Sequence, residues 1–245
     1  MRLRKVSKHV KEQNWFAVGL DFLIVVCGIL IAFQITTWNE ARQDRRSEQR
    51  YLAELAVNLE ADLAQVRSGQ EVSLQRLVAA EAILAGAVPN YARPPFFAQI
   101  DRDLLSPGAF DDYPYATLSA YFFMVSSRST FEELIQTGNI RVISNRSLVN
   151  ELTGYYDRID RERGNDDIML TQAEGMLDWV RENGVGMADR ASLAKTIDLA
   201  KADKSFLGFV KMARFLAYFQ YTRLLRLEAD TATLLTAVES ELTVR

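Results

Sequence analysis

The chain has 245 residues, 49% hydrophobic and 25% charged, with a formal net charge of −3, which suits one large domain or two small ones with an ordinary core. The charge is uneven: residues 1–46 hold eight Lys/Arg against four Asp/Glu, leaving 21 against 28 in the rest, and so acidic a body excludes a nucleic-acid partner, which needs a basic surface. One cysteine, Cys27, excludes an intrachain disulfide and a cysteine metal site, and one histidine, His9, excludes histidine triads and multi-histidine metal centres from the body.

The first 15 residues form a short basic tail with Arg2, Arg4, Lys5, Lys8 and Lys11. "FAVGLDFLIVVCGILIAFQITTW" follows from Phe16 to Trp38. As a helix it is about 34 Å long, enough to cross a hydrocarbon core of roughly 30 Å. Trp15 and Trp38 stand at its ends, where indole rings favour the membrane interface. Phe22 to Phe33 is the strictly apolar centre, short enough to compete as a signal peptide. No small-x-small cleavage site follows, so the reading is an uncleaved transmembrane helix over 16–38, rather than a leader or a buried soluble helix.

Asp21 interrupts this stretch about five residues from its start. From there its carboxylate can reach headgroups and water, close to the positive end of the helix dipole. Ionisable residues inside a span also mark function. Asp21, Val25, Gly28 and Ala32 share one stripe, and Gly28-x-x-x-Ala32 is a small-xxx-small pair that permits close helix approach. These four are the candidate site for membrane-helix association. Five Lys/Arg before the span against Arg42, Arg45, Arg46 and Arg50 after it favour a cytoplasmic N-terminus and an extracytoplasmic body.

Residues 39–50 are polar and read as a solvated neck. The body, 51–245, opens on Leu52, Leu55, Leu59, Leu63, Val66, Leu74, Leu77 and Leu84, a helical stripe. It predicts that the span helix continues to about Ala85, capped by Gly86. All five prolines lie in the aromatic-rich loop 88–115, where Pro95 can open a short helix over Phe96–Leu105 and the aromatics can seal one end of a bundle. Ser129 with Glu132 forms a capping-box pattern for a helix ending at Gly138. "NIRVIS" is a short link. Asn145 or Ser144 caps a helix to about Arg161, with Leu148, Leu152, Tyr155 and Ile159 on one face, and Gly164-Asn165 breaks it. A further helix, Asp166 to Glu182, carries Ile168, Met169, Met176, Leu177 and Val180 as apolar positions. "NGVGMADR" is a turn, and a short helix spans Ser192–Lys201. Ser205 to about Leu242 is a long helix with a near-heptad stripe from Phe206 to Val238, expected to lie antiparallel to the 50–85 helix. The fold expected is all-α: an N-terminal transmembrane helix continuing into a long amphipathic helix, packed in an antiparallel helical bundle.

"VGLDFLIVVCGILIAFQITTWNEAR" and "FEELIQTGNIRVISNRSLVNELTGYY" together resemble a family of uncharacterised bacterial single-pass membrane proteins, a domain of unknown function. An acidic residue commonly precedes the hydrophobic stretch there, as Asp21 does here. The resemblance implies an uncleaved anchor in a bacterial inner membrane and brings no catalytic residues.

Little in the body points to chemistry. Asp157, Asp160, Glu162, Asp166 and Asp167 can attract a divalent cation, but interleaved Arg158, Arg161 and Arg163 and the absence of calcium-loop spacing favour a solvated helix end. Asp101, Asp103, Asp111 and Asp112 can pair as acid and base, without any pocket signal. Gly184-Val185-Gly186 is too short for a phosphate loop, and Met169, Met176 and Met212 read as core filling. No catalytic residue, metal or cofactor is expected. The function expected is a non-enzymatic scaffold or interaction subunit. Its partners are the lipid bilayer and either copies of itself or a membrane or extracytoplasmic protein. The alternatives are a ligand-sensing bundle working with a separate output subunit, and a transporter subunit using Asp21.

Overall fold

A computed structural model describes residues 15–95, 97, 114–163 and 166–243. The chain divides into two compact units, Met1–Arg50 and Tyr51–Arg245. Among the described residues there are seven α-helices and no strand. They are α1 (Trp15–Ala87), α2 (Pro114–Leu118), α3 (Ser129–Gln136), α4 (Arg146–Arg163), α5 (Asp166–Glu182), α6 (Leu193–Ala202) and α7 (Lys204–Thr243), with a 3-10 turn at Asn139–Val142 between α3 and α4. The all-α expectation holds, and the apolar stretch and the leucine stripe belong to one helix.

In the second unit α1 and α7 run antiparallel. Arg67 Nε donates to Glu228 (2.8 Å), Gln70 Nε2 to the Leu224 carbonyl (3.2 Å), and Ser73 Oγ lies 3.1 Å from Gln220 Oε1. As one number rises the other falls. Every buried position of α7 was legible in the stripe: Phe206, Val210, Ala213, Leu216, Ala217, Gln220, Leu224, Leu227, Thr231, Leu234 and Val238. On α1 one buried row reads Leu52, Leu55, Leu59, Asp62, Val66, Gly69, Ser73, Arg76, Ala80, Ile83, Ala87, alternating steps of three and four, and from Leu77 to Leu84 burial extends round the helix. Such a seam brings one helix face continuously against a neighbour.

Two apolar clusters fill the unit. One joins α1 from Leu77 to Ala87 with Phe97, Tyr115 and Leu118, with Met176, Trp179 and Val180 of α5, and with Phe206 to Ala217 of α7. The other joins α1 from Tyr51 to Val66 with α3, α4 and Leu224 to Val238 of α7. Tyr91, Phe97 and Tyr115 from the proline-rich region pack into the first cluster, as the sealing role requires.

Local signals held in part. Gly138 is left-handed (φ 72°) just after the Thr137 C-cap of α3, and the Asn145 side chain caps α4, accepting from Leu148 N at 3.2 Å. Ser192 caps α6 in the same way. The capping box at Ser129 does not form: Ser129 is already helical, Arg128 is the N-cap without a side-chain cap, and the Glu132 carboxylate pairs with Arg128 Nε at 2.9 Å instead. Gly86 does not end α1, which continues to Ala87. A Cβ there would stand 2.4 Å from Ile197 Cδ1, so the glycine serves close packing of α1 on α6. Ile168, Leu177 and Met212 are exposed, because Met169, Met176, Trp179 and Val180 form the inward face of α5 and Met212 lies off the α7 seam. The short helix expected over Phe96–Leu105 and the break at Gly164-Asn165 lie outside the described residues.

Gly69 marks the tightest contact on the seam. A Cβ built there would lie 2.3 Å from the Phe122 ring, whereas one on Gly208, exposed on α7, would meet nothing within 4 Å. Alanine normally stabilises a helix interior by about 1 kcal/mol over glycine, so the two sites should respond with opposite sign. In urea unfolding, Gly208→Ala should gain about 0.5–1 kcal/mol and Gly69→Ala should lose about 1–3 kcal/mol through overpacking.

Candidate functional site

In the first unit the candidate residues are all on the surface. Asp21, Val25, Gly28 and Ala32 are exposed, as are Phe22 at 70% and Phe33 at 67% of their full area. The part of α1 beginning at Val18 is long and apolar enough to cross a membrane, with a best-window mean hydropathy of 2.5 and none of that window buried. Thr36 and Thr37 return their hydroxyl hydrogens to the carbonyls of Ala32 (3.0 Å) and Phe33 (2.6 Å), so neither presents an unmet donor. Trp38 is exposed, and the Arg42 guanidinium lies 5.6 Å from its ring centre, within cation–π range. The Trp15 side chain lies outside the described residues.

In the second unit the polar chemistry is buried, and it centres on a non-helical strap, residues 119–128, laid along α1. Buried backbone groups outside a helix or ladder need other partners, and the seam supplies them. Arg76 Nε donates to the Leu118 carbonyl (2.9 Å) at the head of the strap, and Gln220 Nε2 of α7 to the Phe122 carbonyl (2.7 Å). Gln65 grips Val125 twice, donating to its carbonyl (2.7 Å) and accepting from its N–H (3.2 Å). Asp62, with no exposed surface, accepts from Ser127 N (2.6 Å), Ser126 Oγ (2.8 Å) and Tyr155 OH (3.0 Å). Thr231 of α7 donates in turn to the Tyr155 oxygen at 3.2 Å. Burial raises the Asp62 pKa above the ordinary 3.8 even though these three donors and Arg128 act to lower it. Burial, and then the Asp62 charge, push the Tyr155 hydroxyl far up as well.

A second cluster ties α1 to α7 beyond the strap. Glu81, nearly fully buried, accepts from Tyr91 OH on both oxygens (2.8 and 2.9 Å). It also lies 3.4 Å from Arg214 and 3.6 Å from Arg93. Arg214 donates to the Tyr91 oxygen at 2.5 Å. Desolvation, with Glu81 next, raises the Tyr91 pKa to about 12, so its proton stays in place at physiological pH. A cleft of about 320 Å³ opens between α4 and α7, over Tyr155 and Leu234, with Glu151, Thr233 and the Arg158–Asp230 ion pair on its walls.

Sequence reasoning missed Asp62, Arg76 and Glu81. For Asp62 and Arg76 the signal was present: each falls in step with the three-four repeat of its apolar neighbours. Of the predicted acidic cluster, Asp160 is engaged by Arg128 at 2.5 and 3.0 Å; the Glu162 and Asp166 side chains lie outside the described residues, as do Asp101, Asp103, Asp111 and Asp112. No metal-holding group occurs among the described residues.

Because the folded pKa of Asp62 lies above its unfolded value, the folded state binds this proton more tightly. Its contribution to stability is full below pH 3.8 and is lost as pH rises through the folded value. The stability of the parent chain minus that of Asp62→Asn, from urea unfolding at each pH, should therefore shrink from about pH 4 toward neutrality; a difference that grows would contradict the assignment.

Two comparisons, with curated proteins and with solved structures, find no match. Residues 21–83, which begin at Asp21 and run along α1 through the apolar stretch and most of the seam to Ile83, match a family of unknown function, DUF6090.

Proposed function

We propose that this chain is a non-enzymatic, single-pass protein of a bacterial inner membrane, whose helical body acts as a scaffold or interaction subunit outside the cytoplasm. The observation that carries the reading is the apolar surface of α1 between Val18 and Ile35, exposed except at half-buried Val26. In water such a surface costs about 25 cal/mol per Å² of apolar area, while in lipid a helix with its backbone bonds closed internally is at home. The buried polar groups of the body support the non-enzymatic part: Asp62, Glu81 and Tyr155 hold chain segments together rather than opening to solvent.

Copies of the chain, or a membrane or extracytoplasmic protein, are the partners that fit. Asp21, Val25, Gly28 and Ala32 form the association stripe. A Cβ on Gly28 would meet nothing within 4 Å, leaving that surface open to a second helix. A second reading, a ligand-sensing bundle with a separate output subunit, is favoured by the cleft between α4 and α7, whose volume falls in the small-molecule range.

Alkaline carbonate should leave the chain in the membrane pellet, and a periplasm-active reporter fused at Arg245 should be active while a cytoplasm-active one is silent. Release into the supernatant would sink the anchor, and the reverse reporter pattern the orientation. Gly28→Ile with Ala32→Ile should weaken self-association in a membrane two-hybrid assay at equal expression; unchanged signal would remove the stripe from the interface.

A further inference from the structure

Arg76 is the exception among the buried charges. It has no exposed surface, and only its Nε is used, on the Leu118 carbonyl. Its two terminal nitrogens are buried without a hydrogen-bond partner among the described residues. The Tyr121 ring centre lies 3.6 Å from the guanidinium carbon, and the Tyr121 hydroxyl is also buried and unpartnered. Arg128 and Arg214 have carboxylates, Asp160 and Glu81. The two buried carboxylates of the seam region are engaged elsewhere, Asp62 by the strap and Tyr155, Glu81 by Tyr91 and Arg214. Among the described residues, two guanidinium nitrogens, the hydroxyl of the ring stacked on them and a positive charge are thus buried without an acceptor. A buried ion left this way is among the costliest arrangements in a folded chain, and a single face of an aromatic ring offsets only part of it.

We propose that Arg76 and Tyr121 form a binding site for a small monocarboxylate, of the size of formate or acetate. The two free nitrogens belong to one planar fork, whose geometry matches the two oxygens of a carboxylate. The Tyr121 hydroxyl supplies a third donor. One negative charge balances the one positive charge, and the burial of all three donor atoms favours a compact anion. Burial lowers the Arg76 pKa to about 10, which still leaves the guanidinium charged at neutral pH. The route in is local opening of the strap, which is non-helical and only half-buried at Ala120, Tyr121 and Phe122. This site is independent of whether the chain is anchored in a membrane.

Thermal unfolding of the full chain in detergent micelles tests it, with sodium formate replacing sodium chloride at constant ionic strength. The midpoint should rise by several degrees in a saturable way, as expected for a ligand bound only by the folded state. Tyr121→Phe keeps the ring and loses one donor, so it should need several-fold more formate for half the rise. Arg76→Lys keeps the charge and loses the fork, and should need at least roughly tenfold more. Arg76→Met should abolish the response; if it does not fold, the other two variants decide. A midpoint indifferent to the exchange of chloride for formate overturns the proposal, and so does an unchanged formate response in both Tyr121→Phe and Arg76→Lys.

Discussion

The body is organised by the need to satisfy the backbone of a strap that lies along a helix. Residues 119–128 have no strand beside them, so their buried N–H and C=O groups must be met by side chains. Those side chains come from the seam and flank of α1 and from α7: Asp62, Gln65, Arg76 and Gln220. Their order on α1 reverses the order of the strap, from Leu118 at Arg76 to Ser127 at Asp62. The strap therefore runs antiparallel to α1, and a one-turn slip would orphan every one of these bonds, each costing about 1–3 kcal/mol if left unmet. Polar residues in an otherwise apolar seam specify register in this way.

The same layer divides the core. Gly69, Ser73, Arg76 and Gln220 stand between the two apolar clusters, one around Trp179 and Phe206, the other around Tyr155 and Leu234. Gln220 accepts near Ser73 and donates to the strap, so α1, α7 and the strap meet at one side chain. Gly69 makes room for Phe122, which packs on the second cluster. The carboxylates of the layer and its surroundings are committed inward, to Tyr155, Tyr91, Arg214 and backbone N–H groups.

One helix serves two environments under the proposed anchoring. Over Val18–Ile35 its exposed residues are apolar except Asp21 and Gln34, and from Tyr51 to Val66 its buried residues contract to a stripe. An α-helix tolerates both because its backbone bonds are internal, and Thr36 and Thr37 keep their hydroxyls on the helix as well. The stretch between, rich in Arg and Glu, carries little apolar surface. The family match covers both parts, from Asp21 to Ile83.

The sequence by itself determined the helices. Their period, the glycine after α3, the Asn145 cap and the full buried series of α7 are local or periodic signals, and a helix is a local structure. It also determined the exposed apolar stretch, which is a matter of composition. Only the tertiary structure decided the fate of the polar residues in the seam. Asp62 and Arg76 fall in step with the apolar repeat, but what they bind appears only when the strap, 42 to 65 residues along the chain, is laid across them. Gly86 reads as a cap until Ile197 is seen against it, and the role of Gly69 shows only with Phe122 in place. The Glu132 carboxylate left its expected capping role because the helix starts at Ser129 itself, and it pairs with the charged Arg128 instead. In each case the deciding partner lies across the fold or carries a charge, and the strength of such a pairing depends on distance and burial, which spacing along the chain does not encode.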